Sequence, residues 1–409
     1  MPRRGIYNII NLLLVFAVIF SSELICDTMH KLTNYFQRIN PTNIQIHRRI
    51  VQYLFLATTV LIGVLFGVFV NQLENGILPT ISRPPGIEAF LPISALISLK
   101  YWLVTGIFNR VHPSGLIILL IILSTAILLK RGFCSWVCPF GLLTEYLNRL
   151  HRFIFRKNIR IPRWLDYPMR SLKYLLLAFF LWGILIKMNA TALDYFIYSP
   201  YNMVADIKML YFFKNISAFA LWVLVALVIL SILIRNFWCR YLCPYGALLG
   251  ALSLLSIFKI HRNNQTCTNC QQCTRACPVD IRVHKITTVM SDECHACLKC
   301  VSVCPEKNTL YLSSLKKSGV MKPWIYVVTI SLLFLGGSLL AGSTGYRQTE
   351  ISNNEYLFHV RNLHLPFYQH SGQSPAYNKE AWLRMMAEIR TSQGKMSKNH
   401  ANGESLNNN

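Results

Sequence analysis

Apolar residues gather into six runs separated by polar and basic stretches: Ile9–Ile25, Val51–Val70, Leu116–Leu129, Leu172–Ile186, Ile216–Ile234 and Trp324–Leu340. Each is a predicted transmembrane helix, because about 20 mainly apolar residues cross the hydrocarbon core. The third and fourth runs are short. Lys130, Arg131 and Lys187 at their ends are expected to snorkel to the interface. Another apolar stretch, Ile87–Phe108, is expected to dip into the membrane or cross it.

The polar stretches set an orientation. Nine Lys or Arg lie between Lys130 and Arg170, and Arg235, Arg240, Lys259 and Arg262 follow the fifth run. These segments are two crossings apart, so they share a side, and the bias of basic loops makes it cytoplasmic. Asn189–Asn215 and the polar tail from about Gly345 are then external, the tail carrying one amphipathic stretch, Glu380–Arg390. The start conflicts with itself: Arg3 and Arg4 favour an inside N-terminus, whereas Arg38, Arg48 and Arg49 favour an inside next loop.

Composition supports the membrane class: 53% of residues are hydrophobic and only 14% charged, against about 25% charged in soluble domains. The net charge of +24 falls in loops beside apolar runs. No nucleic-acid-binding motif accompanies it, so topology explains it better than a polyanion partner.

Twelve of the 13 cysteines fall into close groups. Cys267-x2-Cys270-x2-Cys273-x3-Cys277-Pro278 and Cys294-x2-Cys297-x2-Cys300-x3-Cys304-Pro305 carry the bacterial two-cluster ferredoxin spacing, in which the fourth cysteine of each run ligates the other cluster. The expected sets are Cys267, Cys270, Cys273 and Cys304 for one [4Fe–4S] cluster, and Cys294, Cys297, Cys300 and Cys277 for the second. Zinc prefers two separated pairs and fits two complete runs poorly. Thiolate ligands call for a reducing compartment, so the module is expected to face the cytoplasm.

A second pattern repeats 105 residues apart: Phe133-Cys134-Ser-Trp-Val-Cys138-Pro139-Phe-Gly and Trp238-Cys239-Arg-Tyr-Leu-Cys243-Pro244-Tyr-Gly. An even number of crossings separates the copies, implying parallel repeats about an axis along the membrane normal. On a helix, four-residue spacing places both sulfurs on one face, and the prolines are expected to disturb or end it. Four thiolates at Cys134, Cys138, Cys239 and Cys243 can hold iron, copper, zinc or a further Fe–S centre, or perform dithiol–disulfide exchange. Weaker signals read structurally: Cys26 as a buried thiol, His359, His364 and His370 as a solvated tail, His112 as a structural residue at a helix head, and Trp102, Trp136, Trp182 and Trp238 as interface anchors. Glu88 reads as an ordinary loop carboxylate, with proton acceptance from a quinol as its functional alternative.

The duplicated Cys-x3-Cys-Pro pairs followed by a two-cluster ferredoxin resemble the NapH/NosR-type polyferredoxin membrane proteins, with YccM and MauN proteins as relatives, over roughly Pro84 to Trp324. The resemblance implies a membrane electron-transfer component, the quinol-oxidising subunit of an oxidoreductase system. It would take electrons from quinol and support a periplasmic reductase or cytochrome partner. It carries the eight ferredoxin cysteines over as ligands and the other four as a membrane-associated redox motif. The large external flavin domain of NosR has no counterpart, and the C-terminal tail is extra, suited to docking a partner. The fold class expected is a polytopic α-helical membrane protein of about six spans with an inserted small α+β two-cluster ferredoxin-like domain. Its segments are 1–83 (N-terminal spans and basic loop), 84–262 (duplicated unit), 263–312 (ferredoxin-like domain), 313–345 (last helix) and 346–409 (tail), in a bacterial cytoplasmic membrane. The alternatives are a copper or iron reductase or metallocentre assembly factor similar to the FixG/CcoG type, and a membrane-tethered ferredoxin whose cysteine pairs are structural.

Overall fold

The computed structural model describes residues 44–155, 161–306, 308–314, 320–321 and 323–365, with Tyr368 and Arg384. The run Ile9–Ile25, Arg3, Arg4, Arg38, Cys26, His370 and Glu380–Arg390 apart from Arg384 lie outside the described residues. Three described helices are long and apolar enough to cross a membrane: Ile44–Glu74, Trp164–Lys187 and Trp324–Ser343. A fourth crossing is available if Ala205–Lys214 and Ala218–Leu233, bent by 84°, act as one span. The bend falls where Ser217 caps a new helix, its Oγ accepting the Ala220 N–H at 3.2 Å. The run Leu116–Leu129 lies in the 17-residue helix Pro113–Leu129. Ile87–Phe108 forms a 3-10 turn, Pro85–Phe90, and the 14-residue helix Pro92–Thr105. That helix rises about 21 Å, short of the roughly 30 Å hydrocarbon core. Leu175, Phe179, Phe219, Trp222, Leu332 and Leu335 are exposed on the long helices, a distribution that lipid rather than water tolerates.

The chain divides into two compact units. Among the described residues the first comprises 44–56, 125–173 and 209–330. The amphipathic helix Pro139–Phe155 packs on Ala218–Leu233, and it buries its polar residues with partners. His151 Nδ1 donates to the Ile232 carbonyl at 2.7 Å, and Asn148 Nδ2 to Asn236 Oδ1 at 2.6 Å. Three antiparallel strands follow in the order β1 (Phe258–Arg262), β2 (Leu310–Ser314) and β3 (Val320–Met321), with buried Ile260 opposite buried Leu312. Between β1 and β2 run the cysteine loops, with the short helices Gln272–Ala276 and Lys299–Ser302.

Among the described residues the second unit comprises 57–124, 174–208 and 331–365, with Tyr368 and Arg384. Pro92–Thr105 packs against Ala190–Ile197 and against Trp182–Lys187, a π-helical turn. A helix terminus leaves carbonyls unpaired, and Lys100 Nζ donates to those of Ile184 and Leu185, each at 3.0 Å. Arg83 is the hub of a buried clasp. Its Nε donates to Asp206 Oδ2 and its Nη1 to Glu88 Oε1, both at 2.6 Å. The other Glu88 oxygen accepts the Gly115 N–H at 2.7 Å, and His112 Nε2 donates to the Asn202 carbonyl at 2.6 Å. Glu88 is thus a buried member of this clasp rather than an ordinary loop carboxylate, and His112 is held at the head of its helix.

The tail departs from expectation. Asn353–Arg361 is a helix opened by a capping box between Ser352 and Glu355, and its Tyr356 meets Phe69 edge-on, ring centroids 5.6 Å apart. His359 is buried with Nδ1 2.7 Å from the Tyr368 hydroxyl, so it is not a solvated tail residue, whereas His364 is exposed. The cause is local: the cap satisfies the first N–H groups, and the helix then buries its aromatic face.

Arg83→Met would leave Glu88 and Asp206 buried without a countercharge, a loss of about 3–5 kcal/mol. Denaturation of the detergent-solubilised variant should show a correspondingly lower midpoint, partly restored by Arg83→Lys. A midpoint equal to that of the unsubstituted protein would show that the clasp does not stabilise the fold.

Candidate functional site

Two cavities open among the cysteine loops. The first is lined by Cys267, Cys270, Cys273 and Cys304. The second is lined by Cys277, Cys294, Cys297 and Cys300. Each run therefore gives three sulfurs to one cavity and its last to the other. Local backbone handedness curls each loop. Asn269 and Gln271 take φ of 54° and 61° in the first run, and Ala296 and Leu298 take 46° and 55° in the second. Non-glycine residues enter this region at a cost, and such strain collects at functional sites. The backbone N–H groups of Asn269, of Ala296, and of Val279 and Ile281 favour the thiolates of Cys267, Cys294 and Cys277 respectively.

The cavities differ in depth. Cys270 is exposed, whereas Cys277, Cys294 and Cys300 are buried. Burial, then neighbouring Cys297, pushes the Cys277 thiol up to about 12, while the Asn269 N–H lowers Cys267 at the rim. A cationic core reverses the effect of burial by binding the thiolate form outright. The donor set fits iron–sulfur cubanes, which take four cysteines. Among the described residues no three His, Cys, Asp or Glu side chains come close enough to hold one metal ion. A single zinc with Zn–S bonds of 2.3 Å would draw its sulfurs to about 3.8 Å of one another.

The four remaining cysteines lie within electrostatic range of one another. Cys138 is influenced by Cys134 and Cys243, and Cys239 by Cys243, Cys138 and Cys134. They do not share one helix face as expected. The helix Gly132–Trp136 and the π turn Trp238–Leu242 both stop before the second cysteine. Pro139 and Pro244 begin the next helices, Pro139–Phe155 and Pro244–Ser253, where a missing N–H costs nothing. Cys243 is an N-cap whose sulfur accepts the Gly246 N–H at 3.2 Å, and the Gly141 backbone likewise favours the Cys138 thiolate. Close approach to backbone requires Gly141, whereas Gly246 closely meets only the end of a side chain. A Cβ on Gly141 would overlap the Cys134 carbonyl, and one on Gly246 would lie 2.8 Å from Arg131 Nη2. Burial pushes Cys138 up to about 12 and raises Cys239 and Cys243. Among the described residues all twelve cysteines are free of disulfides.

Polar side chains tie this region to the second cavity. Ser135 Oγ donates to the His295 carbonyl at 2.7 Å and Trp136 Nε1 to that of Ala296 at 3.1 Å. Asn236 Nδ2 donates to the Pro278 carbonyl at 3.2 Å. Sequence reasoning misjudged three residues here. Lys130 and Arg131 do not snorkel: both are buried, donating to the carbonyls of Ser291 and Asp292 at 3.1 Å. Trp136 is fully buried against Tyr326 rather than at an interface. Loop carbonyls, unpaired by secondary structure, attract these donors inward. Glu145 was not anticipated at all. It binds Arg48 through two hydrogen bonds at 2.9 and 3.0 Å and Lys299 at 2.5 Å, and Arg48 also donates to the Ser135 carbonyl at 3.1 Å.

Burial opposes the charge of Glu145, but Arg48 and Lys299 outweigh it and hold the carboxyl well below the usual range. A depressed folded value stabilises above the unfolded value near 4.3 and is lost as pH falls through it. Thermal stability should therefore decline from about pH 5 downwards. Glu145→Gln should be less stable at pH 7 and flatter below pH 5. An identical acid slope in both proteins would exclude this clamp.

A family profile described as "4Fe-4S binding domain" matches residues 111–162 and again 216–263. Another, "4Fe-4S dicluster domain", matches 259–305. The chain is 42% identical to "Putative electron transport protein YccM" of Escherichia coli (strain K12) over 304 residues, 72% of this chain and 85% of that protein. It is 29% identical to "Ferredoxin-type protein NapH" of Haemophilus influenzae over 213 residues, 49% of this chain and 68% of that one. Identity to "Regulatory protein NosR" of Pseudomonas aeruginosa is 30% over 179 residues, 43% of this chain but 24% of that protein. No solved structure matches. With iron–sulfur binding segments, helices fit to cross a membrane and a shared length this large, the chain belongs to the NapH/NosR/YccM-type polyferredoxin membrane proteins.

Proposed function

We propose that the protein carries single electrons between the quinol pool and a redox partner through two [4Fe–4S] clusters and a third centre at the duplicated motif. The observation that carries this is the sorting of eight cysteines into two cavities, three from one run and one from the other in each. Cys267, Cys270, Cys273 and Cys304 would ligate one cluster, and Cys277, Cys294, Cys297 and Cys300 the other. When bound, such clusters supply one-electron chemistry at potentials set by hydrogen bonds and exposure.

The third centre rests on a count. Each segment matched by the repeated profile holds two cysteines, Cys134 and Cys138 or Cys239 and Cys243, whereas a [4Fe–4S] cubane takes four. Only the two segments together supply the set, and the mutual influence of the four thiols supports their convergence. Dithiol exchange requires a ready thiolate, and burial works against one here. The hydrogen bonds from Ser135 and Trp136 to the loop of the deeper cavity favour the order motif, deeper cavity, shallower cavity. The exposed Cys270 makes the shallower site the exchange point with a soluble partner.

The basic loops around the cysteine module favour a cytoplasmic face for it, in a bacterial cytoplasmic membrane with a periplasmic tail. Residues 84–262 would form the duplicated unit and 263–312 an α+β ferredoxin-like domain. A quinol releases two electrons and two protons, and one-electron centres take the electrons singly. Reconstituted in liposomes, the protein should have its clusters reduced by a short-chain menaquinol. Cys134→Ser should retain the two ferredoxin clusters yet lose at least tenfold in that rate. An unchanged rate would mean that the cysteine pairs are structural and the third centre does not exist.

A further inference from the structure

The guanidinium of Arg131 has more donors than the protein satisfies. Arg131 is 1% exposed. Its Nη1 donates to the Asp292 carbonyl at 3.1 Å and lies 3.5 Å from Glu293 Oε2. Among the described residues Nε and Nη2 are buried and have no acceptor. Nη2 abuts Gly246, whose N–H caps the Cys243 sulfur. The charges acting on Arg131 are, in order, those of Cys134, Glu293, Cys243 and Cys239. Leaving two guanidinium nitrogens, which carry three N–H bonds, dry and unpaired is costly. That arrangement persists where an acceptor occupies the space they face, and sulfur in an anionic centre is such an acceptor.

Repeat symmetry sharpens the point. Cys134 and Cys239 are 105 residues apart, so the counterpart of Arg131 is Asn236. Asn236 donates to the Pro278 carbonyl, beside Cys277, as Arg131 donates to that of Asp292, two residues before Cys294. Both grip the loops of the deeper cavity, but at this position only the first copy places a cation; the cations of the second copy, Arg235 and Arg240, pair with Asp280. A purely architectural role would need no charge, since Asn236 performs it without one.

We infer that Arg131 sets the reduction potential of the centre held by Cys134, Cys138, Cys239 and Cys243, by donating to its sulfurs and screening its added electron. This rests on the proposal that a cluster occupies those thiols. Reduction makes such a centre more negative, and a buried cation favours the more negative form, so Arg131 raises the potential and its loss lowers it. Hydrogen bonds to sulfur act in the same direction. Arg131 does not ligate metal; it positions and polarises.

The test is an EPR-monitored redox titration of the anaerobically purified full chain, with iron counted on each sample. The reference signal is the one that Cys134→Ser removes. Arg131→Gln should keep its iron and make that centre at least tenfold harder to reduce, a fall of 59 mV for one electron. Arg131→Lys, which keeps the charge but loses the fork, should lie between twofold and tenfold. Should the glutamine variant fail to assemble, the lysine variant decides alone. A change under twofold, about 18 mV, at full iron overturns the role of Arg131. If no signal of the unsubstituted protein depends on Cys134, the third centre itself is refuted, whatever Arg131 does.

Discussion

The interlocking of two cysteine loops is the constraint from which the rest of the first unit follows. Neither run can complete its own cavity. Cys304 reaches back to the loop of Cys267–Cys273, and Cys277 reaches forward to that of Cys294–Cys300. The pairing of β1 with β2 in antiparallel register brings the ends of the module together so that this exchange is geometrically available. Left-handed residues between the cysteines then bend each loop tightly enough to direct three sulfurs inward.

Buried cations are the second theme. Arg48, Lys130, Arg131, Lys173 and Lys259 are nearly inaccessible, yet each has a specific partner. Lys259 donates to the Leu254 carbonyl at 2.8 Å, and Lys173 pairs with Glu293. Removing ions from water is expensive unless pairing and hydrogen bonds offset it. Here the offset comes from carbonyls of irregular loops and a few carboxylates. An anionic cluster nearby gives these charges a further reason to be inside, which a structural framework alone would not supply.

The cysteine chemistry was legible because cluster ligation imposes fixed spacings on the chain. Apolar runs marked the long helices for the same kind of reason: each must match a membrane thickness. What escaped sequence reasoning depended on contacts between distant residues. Lys130 and Arg131 read as topology signals, since nothing local reveals that the carbonyls of Ser291 and Asp292 await them. Glu145 carried no local signal, because its partners Arg48 and Lys299 lie far from it in sequence. The tail helix, in contrast, did carry a local signal. Ser352-Asn-Asn-Glu355 is a capping-box pattern that a polar, low-complexity tail concealed. The break before Cys138 and Cys243 was also readable, because proline favours the first turn of a helix over its interior.

Three sets of four cysteines make a claim that metal analysis reaches directly. Iron and acid-labile sulfide should be counted on anaerobically purified protein against quantitative amino-acid analysis. Three cubanes require about twelve irons per chain, with a matching quantity of sulfide. A colourless preparation containing zinc and no sulfide would contradict the account at its root.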